Sequence, residues 1–154
     1  MDSIITSTRI IVLLAILVSF YGCKDDEEIF TEVKSYVGDI IITTQDDLDT
    51  FTAEKYEVLI GNLTLKEEVY MLNGLIYLTK ITGDLNILNT NLATLDGLNN
   101  LNEVTGSLIV QENNDLNNLC SLITLFSEDI DLIADISNNA YNPQTPITEN
   151  NCSL

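Results

Sequence analysis

Gly38-Asp-Ile-Ile-Ile42, Gly61-Asn-Leu-Thr-Leu65, Gly83-Asp-Leu-Asn-Ile87 and Gly106-Ser-Leu-Ile-Val110 are four versions of one phrase: a glycine with apolar residues two and four places on. The phrase returns every 22 or 23 residues. A fixed period in the twenties marks a coiled stack, in which each turn repeats one strand and lies on the turn before it. Side chains alternate along a strand, so Ile40 and Ile42, Leu63 and Leu65, Leu85 and Ile87, and Leu108 and Val110 line one inner face.

After each phrase, apolar residues stand three apart. The second repeat has Leu72, Leu75, Leu78 and Ile81; the third Leu92, Leu95, Leu98, Leu101 and Val104; the fourth Leu116, Leu119, Leu122 and Leu125. That spacing predicts a 3₁₀-like or irregular return path, whereas an amphipathic α-helix mixes spacings of three and four. The first repeat is less regular (Leu48, Phe51, Tyr56, Val58), as befits an end turn that must cap the stack. A fifth strand is expected over residues 132–137, after a connection around 123–130 that forms a short helix. Five strands about 4.8 Å apart make a stack about 20 Å long. The expected class is mainly β: a short β-solenoid of about five turns, with a parallel sheet on one face and 3₁₀ or irregular returns. Asparagines near strand ends, such as Asn89, Asn91, Asn113 and Asn114, read as structural, their amides satisfying turn backbone groups. The repeat glycines read as sites of positive φ or of close approach between turns.

The chain has 154 residues, enough for one domain with a continuous core. Acidic residues number 24 against 6 basic ones, for a formal charge of −18; Arg9 is the only arginine and histidine is absent from the sequence. Phosphate contacts need Lys and Arg, and this field repels polyanions, so nucleic acid is the partner least expected, and none is expected. Histidine-based metal sites and every catalytic triad with a histidine base are excluded.

Residues 10–21 form an apolar run of 12, too short to span a bilayer and the right size for a signal-peptide core. Phe20-Tyr21-Gly22-Cys23 follows, and here the chain resembles a bacterial lipoprotein signal, in which a small residue precedes the cysteine that is lipidated. Phe20 and Tyr21 are bulkier than that pattern usually has, and an ordinary secretory leader with an incidental cysteine is the alternative. The resemblance implies that residues 1–22 are a signal peptide and that Cys23 carries the lipid anchor to the membrane. Each buried methylene of such an anchor contributes about 0.8 kcal/mol. Lys24-Asp-Asp-Glu-Glu28 is a charged run no core could absorb, and residues 23–36 are expected as lipidated cysteine plus acidic tether. The same run resembles the acidic export signal of some lipoproteins displayed on the outer face of the outer membrane.

Gly83-Asp-Leu-Asn-Ile87, followed by Leu92-Ala-Thr-Leu-Asp-Gly-Leu-Asn-Asn-Leu-Asn-Glu-Val-Thr-Gly106, resembles the receptor L-domain, a leucine-rich solenoid that forms ligand-binding lobes in insulin-receptor-like ectodomains. The likeness covers residues 38 to about 140, so a right-handed leucine-rich-repeat-like domain is expected over 37–142. The segment Ile136-Ser-Asn-Asn-Ala-Tyr-Asn-Pro143 likewise resembles the ending of bacterial lipoproteins of this group. The resemblance implies a binding surface without naming the ligand.

Beyond the anchor, two cysteines remain, Cys120 and Cys152. In an oxidising envelope compartment such a pair is expected as a disulfide, contributing about 3–4 kcal/mol and pinning the tail, residues 143–154, over one end of the stack. Asp46, Asp47 and Asp49 are expected in one loop and Asn113, Asn114 and Asp115 in another. Oxygen-rich loops can hold calcium, but neither matches a calcium-loop pattern, and no cofactor or metal is expected. A hydrolase needs two carboxylates across a cleft, which this architecture does not obviously supply, and no catalytic role is expected.

With inner positions assigned, the outer face follows. Three places after each glycine stand Ile41, Thr64, Asn86 and Ile109, with Asp135 as the fifth; five places after stand Thr43, Lys66, Leu88 and Gln111, with Ser137. The candidate ligand face is therefore Ile41, Thr64, Lys66, Asn86, Leu88, Ile109 and Gln111. Exposed apolar residues grouped on one face often mark an interface, although single ones are common and a homodimer contact is an alternative. The resemblance implies that this is the face such domains use for ligands. The functional expectation is a non-catalytic, outer-membrane surface lipoprotein that binds an extracellular protein or glycan. Its rival is a structural or assembly component that partners with another envelope protein.

Overall fold

The computed structural model describes residues 32–154. The expected signal peptide, Cys23 and the acidic run lie outside them. In chain order the elements are β1 (Ser35–Val37), β2 (Ile40–Thr44), α1 (Gln45–Thr52), β3 (Val58–Ile60), β4 (Leu63–Glu68), β5 (Lys80–Ile81), β6 (Leu85–Thr90), β7 (Glu103–Val104), β8 (Ser107–Gln111), α2 (Ile123–Glu128) and β9 (Ile133–Ser137). Two 3₁₀ turns, Asn73–Tyr77 and Cys120–Leu122, lie on the return paths. The protein is mainly β. One sheet has the order β1-β3-β5-β7 and the other β2-β4-β6-β8-β9, with every strand pair parallel and neither sheet closed.

The five-stranded sheet follows the glycine phrase in register: Leu63 lies beside Leu85, Leu85 beside Leu108, and Ile87 beside Val110. Those inner residues are fully buried, as are the residues spaced three apart from Leu72 to Leu125. The end repeat is looser, with Ile40, Tyr56 and Val58 only half-buried. β9 and α2 occupy the places expected for the fifth strand and the short helix.

The second sheet corrects the expectation of one sheet with irregular returns. Just before each glycine the chain runs straight for two or three residues, and Leu59, Ile81 and Val104 turn inward there. A spacing of three marks which residues are buried but does not show that the last of them are extended. Extension becomes visible only when Leu59 lies beside Ile81 and Ile81 beside Val104 in neighbouring repeats. β1 belongs to this sheet as well, so Ser35 and Tyr36, at the end of the expected tether, are part of the fold.

α1 corrects a second expectation, the acidic loop at Asp46, Asp47 and Asp49. Thr44 caps the helix, its Oγ1 accepting from the Asp47 N–H at 3.2 Å. Asp46 and Asp47 fill the first turn, where the helix dipole favours acids, and Leu48 and Phe51 face the core.

Two polar ladders run along the stack. A Cβ on Gly83 would lie 2.6 Å from the Gly61 carbonyl oxygen, and one on Gly106 would lie 2.8 Å from that of Gly83, so the column needs glycine for close approach. Beside it, Asp39 Oδ1 accepts from the Asn62 N–H (2.8 Å), Asn62 Oδ1 from the Asp84 N–H (2.7 Å), and Asp84 Oδ1 from the Ser107 N–H (2.8 Å). The second ladder centres on Asn113, which is fully buried. Its Oδ1 accepts from Thr90 N–H at 2.9 Å and Thr90 Oγ1 at 2.6 Å. Its Nδ2 lies within bonding distance of Ile87 O (3.0 Å), Gln111 O (3.0 Å) and Asn139 Oδ1 (2.9 Å). Asn139 repeats the arrangement one level on, donating to Val110 O at 2.8 Å. Between strand and ladder, Glu67, Asn89, Glu112 and Asn138 adopt left-handed φ values of 60, 49, 61 and 58°. Asparagine accepts that conformation; glutamate is strained in it.

Cys120 and Cys152 form the expected disulfide, at a sequence separation of 32. The tail pairs with the fourth repeat's return path: Leu119 N–H donates to Cys152 O (2.8 Å) and Leu154 N–H to Asn117 O (3.2 Å). Ile147, in the same tail, is buried against the core.

Asn113→Ala strands buried donors and acceptors, so we expect a loss of about 3 kcal/mol or more in urea unfolding. Glu112→Asn, its neighbour, relieves the left-handed strain and gains about 0.5–1 kcal/mol in the same measurement. Reduction of the disulfide lowers stability by about 3–4 kcal/mol, read from paired melts with and without reductant.

Candidate functional site

The outer face of the five-stranded sheet is built by strand alternation alone. Register places Ile41 beside Thr64, Thr64 beside Asn86, Asn86 beside Ile109 and Ile109 beside Asp135. The second row runs Lys66, Leu88, Gln111, Ser137. All seven candidate residues therefore share one surface. Thr43 drops out of the second row, because the β2–β4 register shifts between Ile42 and Thr44.

The rows differ from the expected apolar patch in one respect. Ile41 is 65% exposed, whereas Leu88 and Ile109 are half-buried by their neighbours. Leu88 and Ile109 are diagonal neighbours across β6 and β8, and Ile41 stands apart from them on β2, with Thr64, Lys66 and Asn86 between. The surface is thus an apolar pair set among hydrogen-bonding groups. Gln111 Nε2 donates to Asp135 Oδ2 (2.7 Å), Ser137 Oγ to Asp135 Oδ1 (2.9 Å) and Asn86 Nδ2 to Thr64 Oγ1 (3.4 Å), which orients the amides and hydroxyls. Lys66 Nζ lies 3.8 Å from Glu67 Oε1. Chemically, such a face offers hydrogen bonds and apolar contact.

A groove at one end meets these rows at Ile41, and the sequence reading did not include it. This groove, of about 490 Å³ at the β1–β2 end of the stack, is lined by Tyr36, Ile41, Asp47, Phe51, Glu54 and Tyr56, among others. The rings of Tyr36, Phe51 and Tyr56 cluster with centroids 5.3–5.5 Å apart. Lys34 Nζ donates to Glu54 Oε2 at 2.7 Å and sits 5.2 Å from the Tyr56 ring centroid. First by that hydrogen bond and then by its charge, Lys34 holds the exposed Glu54 carboxyl below the usual glutamate range. The sequence signal was the first repeat's departure from the leucine pattern, where aromatic residues stand in leucine's place.

No protein-family model, curated protein or solved structure matches the chain.

A depressed carboxyl favours its charged form, so the Lys34–Glu54 pair holds above the ordinary glutamate range and lets go as pH falls through the lowered value. Lys34→Met is expected to move the Glu54 midpoint upward, toward the ordinary glutamate range, in a carboxyl-carbon NMR titration.

Proposed function

We propose that the protein is a non-catalytic recognition module, held at the outer-membrane surface by a lipid on Cys23, whose five-stranded sheet binds an extracellular protein or glycan. The observation that carries this reading is the in-register outer face, where Leu88 and Ile109 sit among oriented Thr64, Asn86 and Gln111 side chains. Amides and hydroxyls on a rigid sheet suit sugar hydroxyls or a polar protein rim, and the apolar pair supplies a desolvated centre. Strict repetition supports reading the stack as a right-handed solenoid of the leucine-rich, receptor L-domain kind. A signal-like apolar run, the Gly22-Cys23 pair and the acidic residues after them support export and display.

A glycan and extracellular-protein array probed with the purified chain tests the reading. Leu88→Asp combined with Ile109→Asp is expected to abolish capture of the array ligand while the circular dichroism spectrum stays unchanged. If the array stays blank and only envelope proteins are retained, the protein is instead an assembly component of the cell surface. If capture survives both substitutions, the sheet is not the binding face.

A further inference from the structure

The two ends of the stack are finished differently. At one end the disulfide-bonded tail lies against the fourth repeat and β9 pairs with β8; at the other, β2 pairs among the described residues with β4 alone. Ile40 N–H donates to Asn62 O at 2.9 Å, toward β4. Alternation along the strand then turns the N–H and C=O of Ile41 to the unpaired side. Ile41, on this edge strand, is 65% exposed.

Directly beside the edge lies the aromatic groove. Its lining includes the carboxylates of Asp47 and Glu54. The chain itself displays the chemistry the groove accepts, because the Lys34 ammonium reaches in from its rim to meet Glu54 and the Tyr56 ring face together. A carboxylate and an aromatic face acting together hold an ammonium or guanidinium better than either does alone.

We propose that the free edge of β2 and this groove bind an extended peptide segment bearing an Arg or Lys. The peptide adds as a further parallel or antiparallel strand beside β2, main chain to main chain. Its alternate apolar side chains cover Ile41, and its cation sits against Asp47, Glu54 and the Tyr56 ring. Charge argues against a second copy of the chain as occupant, since that would bring another −18 formal charge to the same acidic edge. The site shares Ile41 with the proposed ligand surface, whereas Asp47, Glu54 and Tyr56 line the groove alone.

The probe is fluorescein-labelled Thr-Val-Arg-Val-Thr-Val, followed by anisotropy against the purified full chain. Controls replace its Arg by Glu or N-methylate the backbone nitrogens that would face β2. Each control is expected to bind about tenfold more weakly or worse. Asp47→Asn with Glu54→Gln weakens the Arg peptide by about tenfold. Lys34→Met acts in the opposite direction, tightening binding because it vacates Glu54 and Tyr56. Failure of the Arg peptide to bind, equal binding of the Arg and Glu peptides, or indifference to N-methylation or to the carboxamide pair overturns the proposal. So does a concentration-dependent dimer in sedimentation velocity that Ile41→Lys dissolves, which assigns the edge to a second copy.

Discussion

The fold depends on how closely one repeat's backbone lies on the next. At the glycine column a carbonyl oxygen occupies the space a Cβ would need, and Gly106 N–H donates to Gly83 O at 3.1 Å. That contact sets the spacing for everything beside it. With the glycines stacked, the side-chain oxygens of Asp39, Asn62 and Asp84 fall within reach of the next repeat's N–H, and the strands that follow are in register. The inner leucines then meet their counterparts one level away, and burial of apolar surface does the rest. A single larger residue in the column would disturb ladder, register and core at once.

Repetition solves the middle of such a structure and leaves the ends to be solved separately. A middle repeat finds partners above and below; an end repeat has half its hydrogen bonds and half its apolar contacts missing. The two ends answer differently. After the fourth repeat the pattern breaks into α2, β9 and a polar tail held by a disulfide, with Val104 N–H reaching Asp129 Oδ2 at 3.3 Å where the smaller sheet stops. Before the second repeat, the leucine positions pass to α1 and to the aromatic cluster of Tyr36, Phe51 and Tyr56. Among the described residues that end is left partly open, and the groove lined by Asp47 and Glu54 is its consequence.

How much was legible beforehand varies with the range of the interaction. The inner columns, the fifth strand and the pairing of Cys120 with Cys152 follow from local period and composition, and the structure has them. The smaller sheet was not legible, because Lys80-Ile81 and Glu103-Val104 are too short to show a strand pattern. They are strands only through neighbours 22 or 23 residues away. The helix at Gln45–Thr52 hid behind its own acids: Asp46, Asp47 and Asp49 read as a loop until Thr44 is seen to cap them. The outer rows were found position by position, yet the half-burial of Leu88 and Ile109 depends on side chains of adjacent strands.

By itself, then, the recurring phrase determined the parallel stacking, the inward residues and the identity of the outer rows, because each of these follows from period and alternation. The tertiary structure decided which outer residues are exposed, that a second sheet exists, and that a strand edge, two carboxylates and three rings meet at one end. Those features join residues through contact between repeats and at an end where repetition stops. A periodic pattern carries no information about the place where it ceases to repeat.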